Sequence, residues 1–406
     1  MAMIQASQTA VMFILSVLAK KQFEAGKLEV LIIQSAPTVL FVLSIFWNDL
    51  FGRRTFGRYL RTYWLVASAP MLLAPFAHNV WMLIVPYLVA CLGASGHMPV
   101  AGELLKKLYP GRSLGRTYSL IWGTAMTVGA LASAGVGKWL TYDAEAFRIY
   151  IPIASVVQLA GVFTLWRLAE ATGLAGARRQ ELARRRADPV APVEEEGVVR
   201  QLARTFRPVT NMGTVLREDP TFARYEGAYM TYGIGWMIGN ALLPLLVTEG
   251  LHLQYDEVAE STQVPYLVAV VAMLLPAGWL LDRVGAVRTT GFSFFLLALY
   301  PVGLLLAGDS LELAFVSVWY GMAHAGATVG WMLGPVALAP TPQKVPTYVA
   351  IHATLVGLRG TIFQSLGVLL YWVTGGFEVP LALAAGAYVW AGVQMLTLHR
   401  RTKRAG

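Results

Sequence analysis

The chain has 406 residues, 56% of them hydrophobic and 14% charged, and its mean hydropathy is +0.56. Soluble domains run at roughly 45–50% apolar and about 25% charged, so a water-soluble globule is excluded and lipid must solvate much of the surface. The net charge of +9 does not mark a nucleic-acid binder, because the basic residues cluster between apolar runs and form no stripe on a soluble face.

In chain order, apolar runs long enough to span a bilayer recur from end to end. The first-half runs cover residues 3–19, 28–48, 59–77, 79–102, 117–140 and 149–168. Those of the second half cover 222–248, 262–281, 289–307, 311–338, 347–372 and 378–398. At ~20 residues per membrane helix these runs predict twelve spans. Alternating segments of ~10 residues, the mark of a membrane barrel, are absent. Residues 1–5 carry no basic stretch ahead of the first run, which therefore reads as a membrane helix and not as a cleaved signal. Internal prolines such as Pro86, Pro244, Pro276 and Pro335 do not veto helices in a membrane bundle, where neighbours re-satisfy the freed backbone groups. The predicted architecture is all-α: twelve transmembrane helices in two six-helix bundles.

The two halves, 1–170 and 220–398, are separated by a segment of different character. Residues 171–219 hold nine arginines, no lysine and an acidic run at 194–196, and read as a solvated linker beside the membrane. A short basic tail, 399–406, closes the chain. With a cytoplasmic N-terminus and alternating helices, 26 of the 32 Lys and Arg fall on the cytoplasmic side, five fall opposite and one, Arg359, falls inside a run. This asymmetry predicts both termini inside, in a plasma membrane or bacterial inner membrane.

Single chemical motifs exclude several activities. One cysteine, Cys91, allows no intramolecular disulfide and no cysteine-based zinc site. The absence of a GxxxxGK[ST] loop and of HExxH argues against ATP-driven transport and metalloenzyme chemistry. No nucleophile–base pair stands out, so no enzyme activity is expected, and neither a cofactor nor a metal.

A repeat links the two halves. The second run ends in Asp49-Leu50-Phe51-Gly52-Arg53-Arg54, and the eighth in Gly278-Trp279-Leu280-Leu281-Asp282-Arg283-Val284-Gly285-Ala286-Val287-Arg288. Each aspartate follows the second run of its half, and parallel internal repeats mark one large transporter architecture. On these residues the chain resembles the major facilitator superfamily, whose loop signature is G-x-x-x-D-R-x-G-R-R. The second copy matches well. The first departs from it, with Ile45 in place of the leading glycine and Leu50 in place of the arginine after the aspartate. The resemblance covers essentially the whole chain and implies a cytoplasmic latch. Asp49 is expected to face the start of the eleventh run near Thr347, and Asp282 the start of the fifth near Thr117. Physically, glycine permits close helix approach, a carboxylate suits a helix N-terminus, and the arginines anchor the loop and offer that carboxylate partners. Gly123, Gly129, Gly135 and Gly137 in the fifth run lack the Gly-Pro pair of the family's antiporters, and read as small-residue packing.

Polar groups in hydrocarbon nominate a substrate cavity. Arg359 lies near the centre of 347–372, where an arginine costs at least ~2.5 kcal/mol on insertion scales. His352 precedes it by two turns, on the same face. The resemblance places this helix beside a central cavity; the alternative is an arginine bonded to helix-end carbonyls or to the latch. His324, near Trp331, and His97 are weaker candidates, equally readable as hydrogen-bonded packing residues. Tyr225, Tyr229, Tyr232 and Trp236 recur at helical spacing, with Asn240 beyond, and read as bundle core or as a substrate cage. Gln5, Gln8 and Gln34 supply neutral polar groups. Glu103 and Glu226 sit near run ends, Glu226 beside Arg224, and no carboxylate stands at a run's centre. The expected activity is secondary transport of a small, anionic solute by alternating access, with proton coupling left open. The other expectation is a non-transporting protein of the same fold, an assembly factor or a lipid or pigment carrier. Expected partners are the small-molecule substrate and membrane lipids, with no nucleic acid, and the expected state is a monomer.

Overall fold

The structure, a computed structural model, describes residues 1–109, 113–187, 198–253 and 255–405. The acidic run 194–196 lies outside the described residues, as do the side chains of Gln34, Arg185, Arg186, Arg200 and Arg204. The described chain is helical throughout. Its helices are α1 (Ala2–Phe23), α2 (Lys27–Leu40), α3 (Ser44–Arg53), α4 (Phe56–Ala67), α5 (Val80–Gly93), α6 (Met98–Leu108), α7 (Leu114–Tyr142), α8 (Phe147–Ala171), α9 (Leu174–Ala187) and α10 (Val198–Glu218). They continue as α11 (Pro220–Leu245), α12 (Tyr255–Val258), α13 (Val264–Val284), α14 (Ala286–Leu297), α15 (Leu299–Leu306), α16 (Ser310–Leu338), α17 (Val345–Thr374) and α18 (Glu378–Ala405). Taking interrupted helices together, eight of those described are long and apolar enough to cross a membrane.

Several apolar runs are broken, and proline accounts for the breaks. The third run is α4 followed by a 3-10 stretch, Ala69–Phe76, because Pro70 and Pro75 cannot donate to an α-helical ladder. The fourth run turns at residues 94–97 between α5 and α6. Pro99 cannot bond back to Ser95, and Gly93 lets α5 touch the Ala67 backbone, where a Cβ would not fit. Side chains take up carbonyls around this break: Trp47 Nε1 donates to Leu92 O at 2.6 Å, and the Tyr59 hydroxyl donates to Gly96 O. The ninth run parts at Ala298 into α14 and α15, where Pro301 leaves the carbonyl of Leu297 without its helical donor.

Two compact units make up the chain. Unit 1 comprises Met1–Leu108, Thr124–Glu218 and Gln343–Thr354; unit 2 comprises Tyr109–Gly123, Asp219–Pro342 and Leu355–Gly406. In unit 1, α1 and α4 pack on α8, and α2 and α4 pack on α5. The buried stripe of α4, Phe56, Tyr59, Leu60, Tyr63 and Ala67, follows helical periodicity. In unit 2, α13 packs on α16, α11 on α18, and α14 on both α16 and α18. Asp219 starts α11: its Oδ1 accepts from the Thr221 and Phe222 amides at 3.1 and 2.9 Å, with Pro220 at the first helical position, where its missing N–H costs nothing.

Candidate functional site

Unit 2 holds an arginine inside an aromatic cluster. Arg359, on α17, is 1% exposed. Its Nη1 donates to the Tyr229 carbonyl at 2.8 Å, and its guanidinium carbon lies 5.6 Å from the ring centroids of both Tyr229 and Tyr232. Space for the stem comes from Gly233, where a Cβ would run into Arg359 Cδ. Nε and Nη2 have no hydrogen-bond partner among the described residues. A guanidinium presents its N–H groups in a rigid fork suited to carboxylate or phosphate, so this one retains two donor nitrogens that an anion's oxygens can take up.

The opposing charge comes from another helix. Glu226, one turn before Tyr229 on α11, is 2% exposed and acts electrostatically on Arg359. In the chain it stands beside Arg224 and near the start of its run, and the structure separates the two side chains. Helix rotation turns Glu226 inward while Arg224 is exposed.

The tyrosine stripe divides into two roles. The Tyr225 and Tyr229 hydroxyls donate to the carbonyls of Gly330 and Ala327 on α16 at 2.8 and 3.0 Å. That contact depends on Gly334, where a Cβ would strike the Tyr225 hydroxyl, while a Cβ at Gly330 would strike Thr290 Oγ1 on α14. These two tyrosines are bundle core. Tyr232 instead meets His324: its hydroxyl is 3.1 Å from Nε2, and the Tyr266 hydroxyl is 3.0 Å from Nδ1. A neutral imidazole accepts at one nitrogen and donates at the other, so His324 joins two phenols into one polar chain. Tyr320 stacks on the same ring at 5.1 Å, and Trp236 Nε1 donates to the Tyr320 hydroxyl at 2.9 Å.

Arg359, Tyr232, Trp236 and His324 thus belong to one cluster, with Trp331 packed against the same core. Asn240 is exposed. His352 is buried but belongs to the unit 1 portion of α17. His97, also in unit 1, lies at the break of the fourth run with Nδ1 3.1 Å from Ala94 O and its ring tilted against Tyr63. Gln8 and Gln158 both donate to the Tyr63 hydroxyl, at 3.3 and 2.8 Å. Among the described residues no group of three or more His, Cys, Asp or Glu side chains is arranged to hold a metal.

The two copies of the repeated motif differ. In unit 2, Asp282 Oδ1 accepts the Gly115 amide at 2.7 Å, and Oδ2 accepts the Arg116 amide and Nε at 3.1 and 3.2 Å. The aspartate therefore sits on the first turn of α7, where partial positive charge concentrates. Gly278 and Gly115 bring α13 and α7 together, since a Cβ on either would meet the other's backbone. Gly285 adopts φ +85 as it closes α13 and opens α14, a conformation in which only glycine is unstrained. Arg283 and Arg288 lie over Trp279 and Phe292, at 3.9 and 5.5 Å from the ring centroids. The cation on Asp282 is Arg116, which lies outside the motif. In unit 1, Asp49 pairs with Arg53 one turn along its own helix at 2.9 Å. It is Asn48 whose Nδ2 donates to Thr347 Oγ1, at 3.2 Å. A Cβ at Gly52 would meet open space, and Arg54 donates to Thr62 Oγ1 at 2.9 Å.

This arrangement is that of a polytopic helical membrane protein, and the fold is that of major facilitator superfamily transporters. The human organic anion transporter MFSD10 (TETRAN) superposes with a TM-score of 0.71 at 10% identity, over 97% of this chain and 96% of that one. The E. coli fucose:proton symporter FucP gives 0.63 at 13% identity, over 97% of each chain. A structure of the major facilitator superfamily transporter FucP in the outward conformation gives 0.66 at 11% identity, over 98% of this chain and 97% of that one. No family model matches the sequence, and no curated protein matches it.

Proposed function

We propose that the protein is a secondary transporter of the major facilitator superfamily that moves a small anionic solute by alternating access, with Arg359 as the anchor for the solute's negative charge. Twelve membrane helices in two six-helix bundles, 1–170 and 220–398, would carry the movement, with the linker 171–219, the tail 399–406 and both termini cytoplasmic. The observation that carries the reading is a fully buried guanidinium with Nε and Nη2 unpartnered among the described residues. A permanent cation in hydrocarbon persists beside an acceptor, water or an anion; here one carbonyl and the field of Glu226 supply part of that. An anionic solute supplies the rest. Anion transport by a protein of the same fold, MFSD10, supports the solute class, and the proton-coupled FucP supports Glu226 and His324 as candidates for proton coupling.

The test is uptake of a panel of radiolabelled organic anions into proteoliposomes, with neutral sugars as controls. Arg359→Lys keeps the charge but loses the planar fork, so it should fold and bind a transported anion about tenfold or more weakly. Arg359→Gln should abolish anion uptake. Normal folding with unchanged anion affinity in Arg359→Gln would make the arginine structural and remove the anchor.

A further inference from the structure

Unit 1 carries a second basic site that the transport reading does not use. Arg53, Arg54 and Arg58 line one cavity of ≈ 680 Å³ together with Thr55 and with Arg179, Leu182 and Ala183 of α9. Four guanidiniums round a single cavity repel one another unless anions balance them. Two are balanced: Arg53 pairs with Asp49, and Arg179 with Glu170. Arg54 meets only the neutral Thr62 hydroxyl, and among the described residues no carboxylate pairs with Arg54 or Arg58. Two positive charges at this rim are left without a protein counter-ion.

A positive-inside bias accounts for arginines at this end of the chain, but not for their convergence on one cavity. The surroundings indicate what balances them. Arg58, Thr62 and Leu65 recur at helical spacing, so they share one face of α4. Leu65 is exposed on that face, and Leu73 and Phe76 are exposed on the 3-10 stretch that follows. The charged rim therefore gives way along the same segment to apolar surface open to lipid. An anion seated here has room for hydrocarbon beside it.

We infer that this cavity binds the phosphate of an anionic phospholipid, with Arg54 and Arg58 as its principal cationic contacts and the acyl chains lying along α4 and the Ala69–Phe76 stretch. Arginine suits phosphate because two of its N–H groups can meet two oxygens at once. Arg179 comes from the linker helix α9, so an occupied site ties that helix to the start of α4.

The test uses the full-length protein purified in detergent, with phosphatidylglycerol binding followed by native mass spectrometry and by thermal unfolding. Phosphatidylcholine serves as the zwitterionic lipid and glycerol 3-phosphate as the soluble phosphate. Arg54→Gln/Arg58→Gln leaves the Asp49–Arg53 pair in place; Arg224→Gln/Arg400→Gln removes two exposed charges elsewhere. Phosphatidylglycerol should bind and stabilise the parent protein more than phosphatidylcholine does. The Arg54/Arg58 variant should bind it roughly ten- to thirtyfold more weakly, since each arginine near an anionic surface is worth about fivefold, while the control pair should change little. Equal binding of the two lipids overturns the inference, and so does equal loss in both double variants. Stabilisation by glycerol 3-phosphate without lipid binding overturns the lipid as occupant. If the Arg54→Gln/Arg58→Gln variant unfolds without lipid, Arg54→Lys/Arg58→Lys, which keeps both charges but not the planar forks, should bind phosphatidylglycerol several-fold more weakly than the parent; parent-like binding there overturns the guanidinium contacts.

Discussion

Asp282→Asn removes a charge and keeps the shape, and the structure sets its cost. The Asp282 side chain is 5% exposed and accepts two backbone N–H groups at the start of α7, at 2.7 and 3.1 Å. Hydrogen bonds to a charged group are worth about 1.5–3 kcal/mol each. Asparagine can accept only one of the two amides, as a neutral acceptor of about half the strength, and turns an NH2 toward the other. The Arg116 side chain is 54% exposed, so its ion pair adds at most about 1 kcal/mol. The expected loss is about 3 kcal/mol, a charged hydrogen bond and part of another. Asp49→Asn is the internal comparison. Asp49 is 32% exposed and pairs with Arg53 at i,i+4, an interaction typically worth about 0.3–0.5 kcal/mol. Reversible unfolding in mixed micelles, with Cys91 replaced in all variants, should separate the two substitutions by well over 1 kcal/mol. A double-mutant cycle of Asp282→Asn with Arg116→Gln should give a coupling below about 1 kcal/mol. Equal destabilisation by Asp49→Asn and Asp282→Asn refutes the reasoning, since the repeat would then act through net charge and not through the α7 amides.

Other substitutions follow from close contacts. Gly233→Ala places a methyl where Arg359 Cδ lies, so it should reduce affinity for a transported anion while a fluorescence or thermal assay still reports folded protein; unchanged affinity would show that the arginine stem has room to move. Gly285→Ala should cost about 1–3 kcal/mol through backbone strain at φ +85, against little effect for Gly52→Ala, whose Cβ would meet nothing; comparing their unfolding midpoints checks this.

Lipid solvation, helical class, the repeated aspartate loops and Arg359 as a charge inside an apolar run were all legible in the sequence, because hydrophobic run length and the cost of a charge in hydrocarbon are properties of local composition. The fold is shared with transporters at 10–13% identity, which is possible because run lengths and a few small residues constrain it more than side-chain identity does. What the cation and the carboxylates meet was decided by tertiary structure. In the chain Glu226 stands beside Arg224 near the start of its run, and only the fold shows that α11 turns it inward within the field of Arg359. Both motif aspartates are expected to face a helix start, yet among the described residues Asp282 takes up the amides of one, while Asp49 pairs with its own helix and Asn48 reaches Thr347. Only the packing shows that the Tyr225 hydroxyl of α11 fills the space left by the missing side chain of Gly334. Each of these depends on which faces of helices distant in sequence are brought together, and hydrophobic periodicity fixes a helix's buried face without naming the residue that will lie against it.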